Sequence, residues 1–435
     1  MTTGTTIPFS QETVKQLSAL RNEPAWFEQF RLDALAKAES LSLPKPDKTN
    51  ISKWDFFGKE FDATTGNVPT KEQLPASVTS LVNEEADQTV YVQYNGSPVF
   101  YALSTEAKEN GVIFTDLHTA VKEHAELVKK YFMTEAVKVD EHKLTALHAA
   151  LVNGGAFLYV PKNVVLTKPI QAIFVIDGEK VPAYNHVLVV ADANSEVTYV
   201  ENYVSTSADL EGAVANIVTE VITLDNAKVR YGAVDTLAKG VTAYVNRRGI
   251  AGRDSKIEWA LGLMNDGNSV FENITHLVGD GSFGDMKMVT VGRGEQTQNF
   301  TTSIIHHGKG SEGWILKHGV AKDAATSIFN GIGKIEHGAS KSNAQQTSRV
   351  LMLSEKARGD ANPILLIDEN DVMAGHAASV GKVDPNTLYY LMSRGIPKKE
   401  AERLVIHGFL APVVAELPIE EVKKQLVDVI ERKVK

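Results

Sequence analysis

The residues best suited to chemistry gather late in the chain. His306-His307, His318, His337 and His376 carry imidazoles that can ligate iron or zinc, and successive turns of a stacked structure could bring such groups together. Read on residue type alone, most of them are polar side chains on a surface. Asp368, Glu369, Asp371 and His376 form a denser cluster on a glycine-containing loop. Carboxylates beside an imidazole suit a hard or borderline metal, although ordinary surface acids have the same spacing. The chain has 0 Cys, which excludes thiolate metal sites, disulfides and Cys nucleophiles. No G-x-x-x-x-G-K-[ST] loop, H-E-x-x-H helix or G-x-S-x-G elbow is present. Gly331-Ile-Gly-Lys334 resembles a phosphate loop only in part, because no helix-capping sequence follows it and solenoid turns use glycine freely.

The elements that must position these groups are short strands. Val187-Leu-Val-Val-Ala191 is followed by the turn formers Asp192-Ala-Asn-Ser195 and then by Val197-Thr-Tyr-Val200. The same order returns at Asp225-Asn-Ala-Lys228 before Val229, and at Gly249-Ile-Ala-Gly-Arg-Asp-Ser-Lys256 before Ile257. Strand starts recur at Val197, Val229, Ile257 and Phe283, with Val270 midway between the last two. Such returns, about 30 residues apart, suit coils that give one strand to each of two faces. A parallel α/β sheet would need a long helix between strands, and none is supplied. A hairpin sandwich stays open through Asp266-Gly267 and Asp280-Gly281. The regular returns favour a right-handed parallel β-helix of about seven to ten turns, roughly 35 to 50 Å long.

Around this body the chain is helical. Residues 10–40 read as helices capped by Ser10 and broken near Pro24. Trp54-Asp-Phe-Phe57 reads as packing of a small helical unit rather than a ligand site. Val90-Tyr-Val-Gln-Tyr94 and Pro98-Val-Phe-Tyr101 flank Asn95-Gly96 as a hairpin. Residues 115–131 and 143–151 read as helices, as do 384–394, 398–407 and 419–434, with Pro412 ending the second-last. The mainly β protein with α caps thus divides into a mixed N-terminal region (1–150), the β-helix (151–367) and a C-terminal helical domain (368–435). Lys and Arg total 45 against 54 Asp and Glu, a net charge of −9. That balance does not favour nucleic acid. No apolar run reaches a membrane span, and residues 1–6 carry no signal-like pattern. A soluble cytoplasmic protein is the expectation.

The late blocks Asn343-Ala-Gln-Gln-Thr-Ser-Arg-Val-Leu-Met-Leu-Ser354, Asn362-Pro-Ile-Leu-Leu-Ile-Asp368, Asp371-Val372, Gly375-His376-Ala377, Ser379-Val-Gly381 and Leu388-Tyr-Tyr-Leu-Met-Ser-Arg-Gly-Ile396 resemble, in order and spacing, the C-terminal signature of the SufB/SufD family. The N-terminal helices and the solenoid fit as well, so the resemblance covers nearly the whole chain. It is closer to the SufD branch, because the SufB branch carries a late β-helix cysteine. Many SufD relatives have a cysteine where Ala374 stands.

The resemblance implies a non-catalytic scaffold in a SufB–SufC–SufD complex that assembles iron–sulfur clusters. SufB would meet the late β-helix coils, and the ATPase SufC would dock on the C-terminal helices, with Leu404, Phe409, Leu410 and Pro412 as candidate contacts. Phe409 and Leu410, read as lying in a turn, either fill a partner's pocket or pack inside the domain. Truncation beyond Lys398 is expected to abolish ATPase capture. His376 matches a SufD histidine considered a ligand for iron or a cluster, while Asp368, Glu369 and Asp371 are accessory candidates. No cofactor would stay bound to the isolated chain; iron or a cluster would pass transiently through the complex. The isolated chain is expected to pair with itself through the same coils. Two alternatives are a SufB-like homodimeric scaffold and a β-helical carbohydrate-cleaving enzyme.

Overall fold

The turn sequences explain the architecture. In the computed structural model, which describes residues 7–58, 69–82, 87–177 and 182–434, Asn194, Asn226 and Asp254 take positive φ, as do Gly281, Gly310 and Lys341 in the corresponding corners of later coils. Asparagine and aspartate tolerate this left-handed conformation better than most side chains. The two asparagine side chains then reach back to the preceding coil. Asn194 Nδ2 donates to Asn163 Oδ1 (2.8 Å), and Asn226 Nδ2 to Asn194 Oδ1 (3.0 Å). A serine follows in most of these corners. Ser195, Ser255, Ser282 and Ser311 turn their hydroxyls back onto carbonyls of their own turns, at 2.6 to 2.9 Å. The corner chemistry, rather than any exact repeat, sets the coil.

Strands leaving these corners alternate between two sheets. One is ten-stranded and the other nine-stranded among the described residues, and every neighbour from Gly154–Val160 and Ile170–Val175 onward is parallel. The result is a parallel β-solenoid of about eight turns. Val197 pairs with Val229, and Val229 with Ile257. The next partner of Ile257 is Gly284, not Phe283, which pairs instead with Lys256. Val270 belongs to the other sheet, in the strand Ser269–Leu277. Asp266-Gly267 and Asp280-Gly281 form corners between parallel strands, so the sandwich reading is set aside.

Apolar and aromatic rings stack along the interior. Tyr199, Tyr231 and Trp259 follow one another at 5.5 and 4.8 Å between ring centres, and Phe271, Phe300 and Phe329 at 5.0 and 5.3 Å. Among them Arg247 is buried with two carboxylates, Glu201 at 3.1 Å and Asp235 at 3.0 Å. An ion group there is tolerated only because the partners compensate one another's desolvation.

The outer faces are covered by helices. Gln11–Arg21, Ala25–Ser40 and Lys143–Leu151 contribute to the core on the nine-stranded sheet. Buried Arg31 fixes them there, donating to the carbonyls of Ala150 (3.0 Å) and Val152 (2.8 Å). The helices Lys398–Glu416 and Glu420–Val434 cover the other sheet through Ile406, Leu410, Val413, Val422 and Leu426. Gly232 and Gly262 make room for this contact, since a Cβ on Gly262 would stand 2.0 Å from Leu426 Cδ2.

Several expectations are corrected. Parallel pairing runs past residue 367 through the strand Met373–Lys382, and helices begin only at Pro385. The hairpin Thr89–Tyr94 and Ser97–Ala102 is present, and it also extends the ten-stranded sheet. Residues 115–131 are not one helix. Asp116 caps Leu117–Glu123, and the chain breaks at His124 before Ala125–Tyr131. Pro412 does not end its helix, which runs from Lys398 to Glu416. The lost hydrogen bond is offset by burial of Leu410 and Val413 on either side of it. Residues 1–6, read as free of a signal pattern, lie outside the described residues.

Candidate functional site at the open end of the solenoid

His376 lies inside the last strand, Met373–Lys382, and not on a loop. It continues a register series through successive coils: Met286 pairs with Ile315, Ile315 with Gln346, and Gln346 with His376. Met286, Ile315 and Gln346 are buried, whereas His376 is exposed because no further coil covers it. The same ending exposes Leu366, Ile367, Met373 and Val380. An edge this apolar, with unused backbone donors and acceptors, is a surface for strand pairing.

A groove of about 490 Å³ opens beside His376. Its lining includes Phe283, Asp285, Lys287, Trp314, Gln345 and Glu416. Trp314 is 41% exposed although it is a large aromatic. Asp285 pairs with Lys287 across the strand face. Burial raises the Asp285 carboxyl above its usual range, and the Lys287 ammonium pulls it back. These residues were not singled out from sequence. The signal was the register itself, since Asp285, Trp314, Gln345 and Gly375 follow one another across successive coils.

The acids near His376 in sequence do not join it. Glu369 holds the preceding corner, its carboxylate accepting from the backbone N–H groups of Asn370 (2.8 Å) and Gly338 (2.9 Å). Those donors hold its carboxyl below the usual range. The Asp371 carbonyl accepts from Lys341 N (2.5 Å), and Asp368 N donates to the Ile335 carbonyl (2.9 Å). All three acids therefore sit on the turn between the last two strands. Among the described residues, no three His, Asp or Glu side chains are grouped to hold a metal ion.

The other histidines divide in two. His307 and His337 are exposed, as expected. His306 and His318 are not surface groups. His306 is buried with Nδ1 2.8 Å from Ser311 Oγ, and burial lowers its pKa to about 4. His318 stacks on Phe409 at 4.9 Å and places Nδ1 2.8 Å from the Phe409 carbonyl. Gly331-Ile-Gly-Lys334 lies within the strand Thr326–Ile335 rather than in a turn, so it forms no phosphate loop.

The docking candidates also separate. Leu410 is buried and Phe409 is half-buried against His318, so both pack within the protein rather than in a free turn. Leu404 and Pro412 are exposed. Also in the helical region, Tyr389 is 74% and Tyr390 57% exposed on Pro385–Ser393, and Met392 is exposed with them. No helix is long and apolar enough to cross a membrane among the described residues.

Comparison with known proteins extends over both parts of the fold. Residues 174–409 match the family described as "SUF system FeS cluster assembly, SufBD core domain", and residues 12–172 match "SufBD protein N-terminal region". The chain is 66% identical to the iron-sulfur cluster assembly protein SufD of Bacillus subtilis, with 100% of each chain covered. It is 30% identical to an iron-sulfur cluster assembly SufBD family protein of Staphylococcus aureus, covering 94% of this chain and 90% of that relative.

Proposed function

Because the chain belongs to the SufB/SufD family, we propose that it is a non-catalytic scaffold subunit of a SufB–SufC–SufD complex that assembles iron–sulfur clusters in the cytoplasm. The observation that carries the reading is the uncovered last coil, which presents His376 on an unpaired, partly apolar strand edge. SufB would pair with that edge and bring the further ligands that one imidazole lacks. A neutral imidazole nitrogen can donate an electron pair to iron. Iron or the nascent cluster is thus cargo at the junction, not a resident group of the isolated chain.

SufC would dock on the C-terminal helices, and ATP turnover would belong to it. The exposed Tyr389, Tyr390, Met392 and Leu404 supply the aromatic and aliphatic anchors that protein interfaces use. Phe409 and Leu410 drop out as direct contacts and instead hold the docking helix on the solenoid. The SufB-like homodimer is disfavoured by the lack of any cysteine. The carbohydrate-cleaving alternative gives way to the family assignment. The test is to isolate the native complex through this chain and measure subunit composition, iron and acid-labile sulfide. Recovery without an ATPase subunit, or without the capacity to acquire iron and sulfide, would overturn the reading.

A further inference from the structure

Away from the open end, a pair of imidazoles meets on the outside of the solenoid. His276 is the second-last residue of the strand Ser269–Leu277, and His307 stands one coil further, just beyond Thr297–His306. The His307 N–H donates to the Leu277 carbonyl (2.9 Å), which fixes the two backbones one coil apart. His276 Nδ1 lies 3.2 Å from His307 Nε2, with the rings 5.5 Å apart and 19° from parallel. We propose that His276 and His307 form an open, two-imidazole site for a borderline divalent metal ion such as zinc, nickel or iron(II).

The contact is an N–H···N hydrogen bond between the rings, and its separation is the first support, because a metal ion can take the place of the shared proton once the donor ring changes tautomer. Two imidazole nitrogens held about 2.1 Å from one metal at an angle of roughly 100° stand about 3.2 Å apart. The second support is access. His307 is exposed and can swing its ring, while the half-buried His276 gives the site a fixed side. Burial lowers the His276 pKa to about 4, so its ring stays neutral and able to donate at physiological pH.

The nearby charges are of both signs, with His307 and Arg248 opposing positive charge at His276 and Glu336 favouring it. Lys334 is paired with Glu336 at 2.5 Å, and Arg248 with Glu141 at 2.9 Å and Glu272 at 3.7 Å. Glu336 N donates to the His306 carbonyl, which places this carboxylate on the coil after His307. The remaining coordination positions face solvent and would hold water or a group from a donor or acceptor of the metal. Imidazole ligands select borderline metals over calcium or magnesium.

The experiment uses the untagged full chain, titrated with zinc or nickel by calorimetry, and with iron(II) under anaerobic conditions. One metal per chain is expected. His276→Ala and His307→Ala should each weaken binding by at least tenfold, and the double variant should abolish it. Thermal unfolding of the same variants checks that the solenoid is intact, and His307, being exposed, is the safer of the two. Unchanged binding in the folded double variant would overturn the site. Calcium binding as strongly as zinc would also overturn it, because the assigned chemistry is imidazole ligation.

Discussion

Replacing His376 by alanine removes an imidazole from an exposed strand position without opening a cavity, so it separates a ligand from a packing residue. The expected outcome is a complex of unchanged composition and ATP turnover, with cluster formation reduced by about tenfold or more, as is typical even for loss of an outer-sphere partner of a metal ligand. Normal cluster formation would remove His376 from the chemistry. Failure confined to subunit association would make it an interface residue. Inside the solenoid, Arg247→Met should behave differently, because Glu201 and Asp235 would be left buried without their counter-ion. A loss of about 3–5 kcal/mol is expected in urea unfolding. Acid should also weaken the fold. Burial holds His142 and His306 at about 4, His186 at about 3, and His148 well below its usual value. The unfolded chain takes up these protons near pH 6.5 while the native state refuses them. Their contribution is therefore complete above pH 6.5 and is lost progressively as pH falls toward 4, by up to about 1.4 kcal/mol per unit for each ring. Buried Glu201 and Glu220, raised to about 7 and about 8, act in the opposite sense but are fewer. Urea unfolding at pH 7 and pH 5 checks the net sign, and equal stability would refute it.

At the scale of elements, the C-terminal helices cover the ten-stranded sheet and, on the proposed reading, also dock the ATPase, so a truncation cannot separate the two. Removing everything beyond Lys398 would uncover Val200, Val234, Met264, Val289, Val291 and Val320 on the ten-stranded sheet. Loss of ATPase capture by such a fragment would then report aggregation as readily as docking. Substitutions on the exposed side are the better probe. Tyr389→Ala combined with Leu404→Ser should abolish co-purification of the ATPase while leaving the melting temperature unchanged, because both side chains are exposed. Retention of the ATPase by this variant would move the docking surface elsewhere. Gly262→Ala tests the packing of the last helix, Glu420–Val434, on the solenoid. Its added methyl meets Leu426, so either the helix lifts or the leucine changes rotamer, at a cost of about 1–3 kcal/mol.

At the scale of the whole molecule, the solenoid has one end closed and one end open. The first coils are covered by the hairpin Ser97–Ala102 and by Ile113–Asp116, both antiparallel to their neighbours. The last coil ends with Met373 62% exposed and with Leu366, Ile367 and Val380 beside it. In the absence of a partner subunit, two copies should pair through this end. Sedimentation at rising concentration should reveal dimer in the wild type, and Val380→Lys with Met373→Lys should shift it to monomer by placing charges on the edge. A wild-type chain that stays monomeric at high concentration would refute the pairing.

The sequence by itself determined the solenoid, because corner residues act locally. Asn194, Asn226 and Asp254 can adopt positive φ on their own, and Ser195 and Ser255, which follow two of them, bond back onto their own turns. It also determined the flanking helices through Ser10 and Asp384, whose side chains accept from the backbone N–H groups of Thr13 and Asn386. What it left undecided depended on register between coils. The one-residue difference between Phe283 and Gly284, the inclusion of Met373–Lys382 in the solenoid and the alignment of His376 with Gln346 arise from pairing over about 30 residues. The acids at Asp368, Glu369 and Asp371 looked like neighbours of His376 because they are close in sequence. A strand carries the imidazole away from their corner, and parallel stacking instead lines up Asp285, Trp314 and Gln345 with its neighbour Gly375. Pro412 shows the same limit. Its local effect is to end a helix, and only packing of Leu410 and Val413 on a sheet formed by distant residues outweighs it.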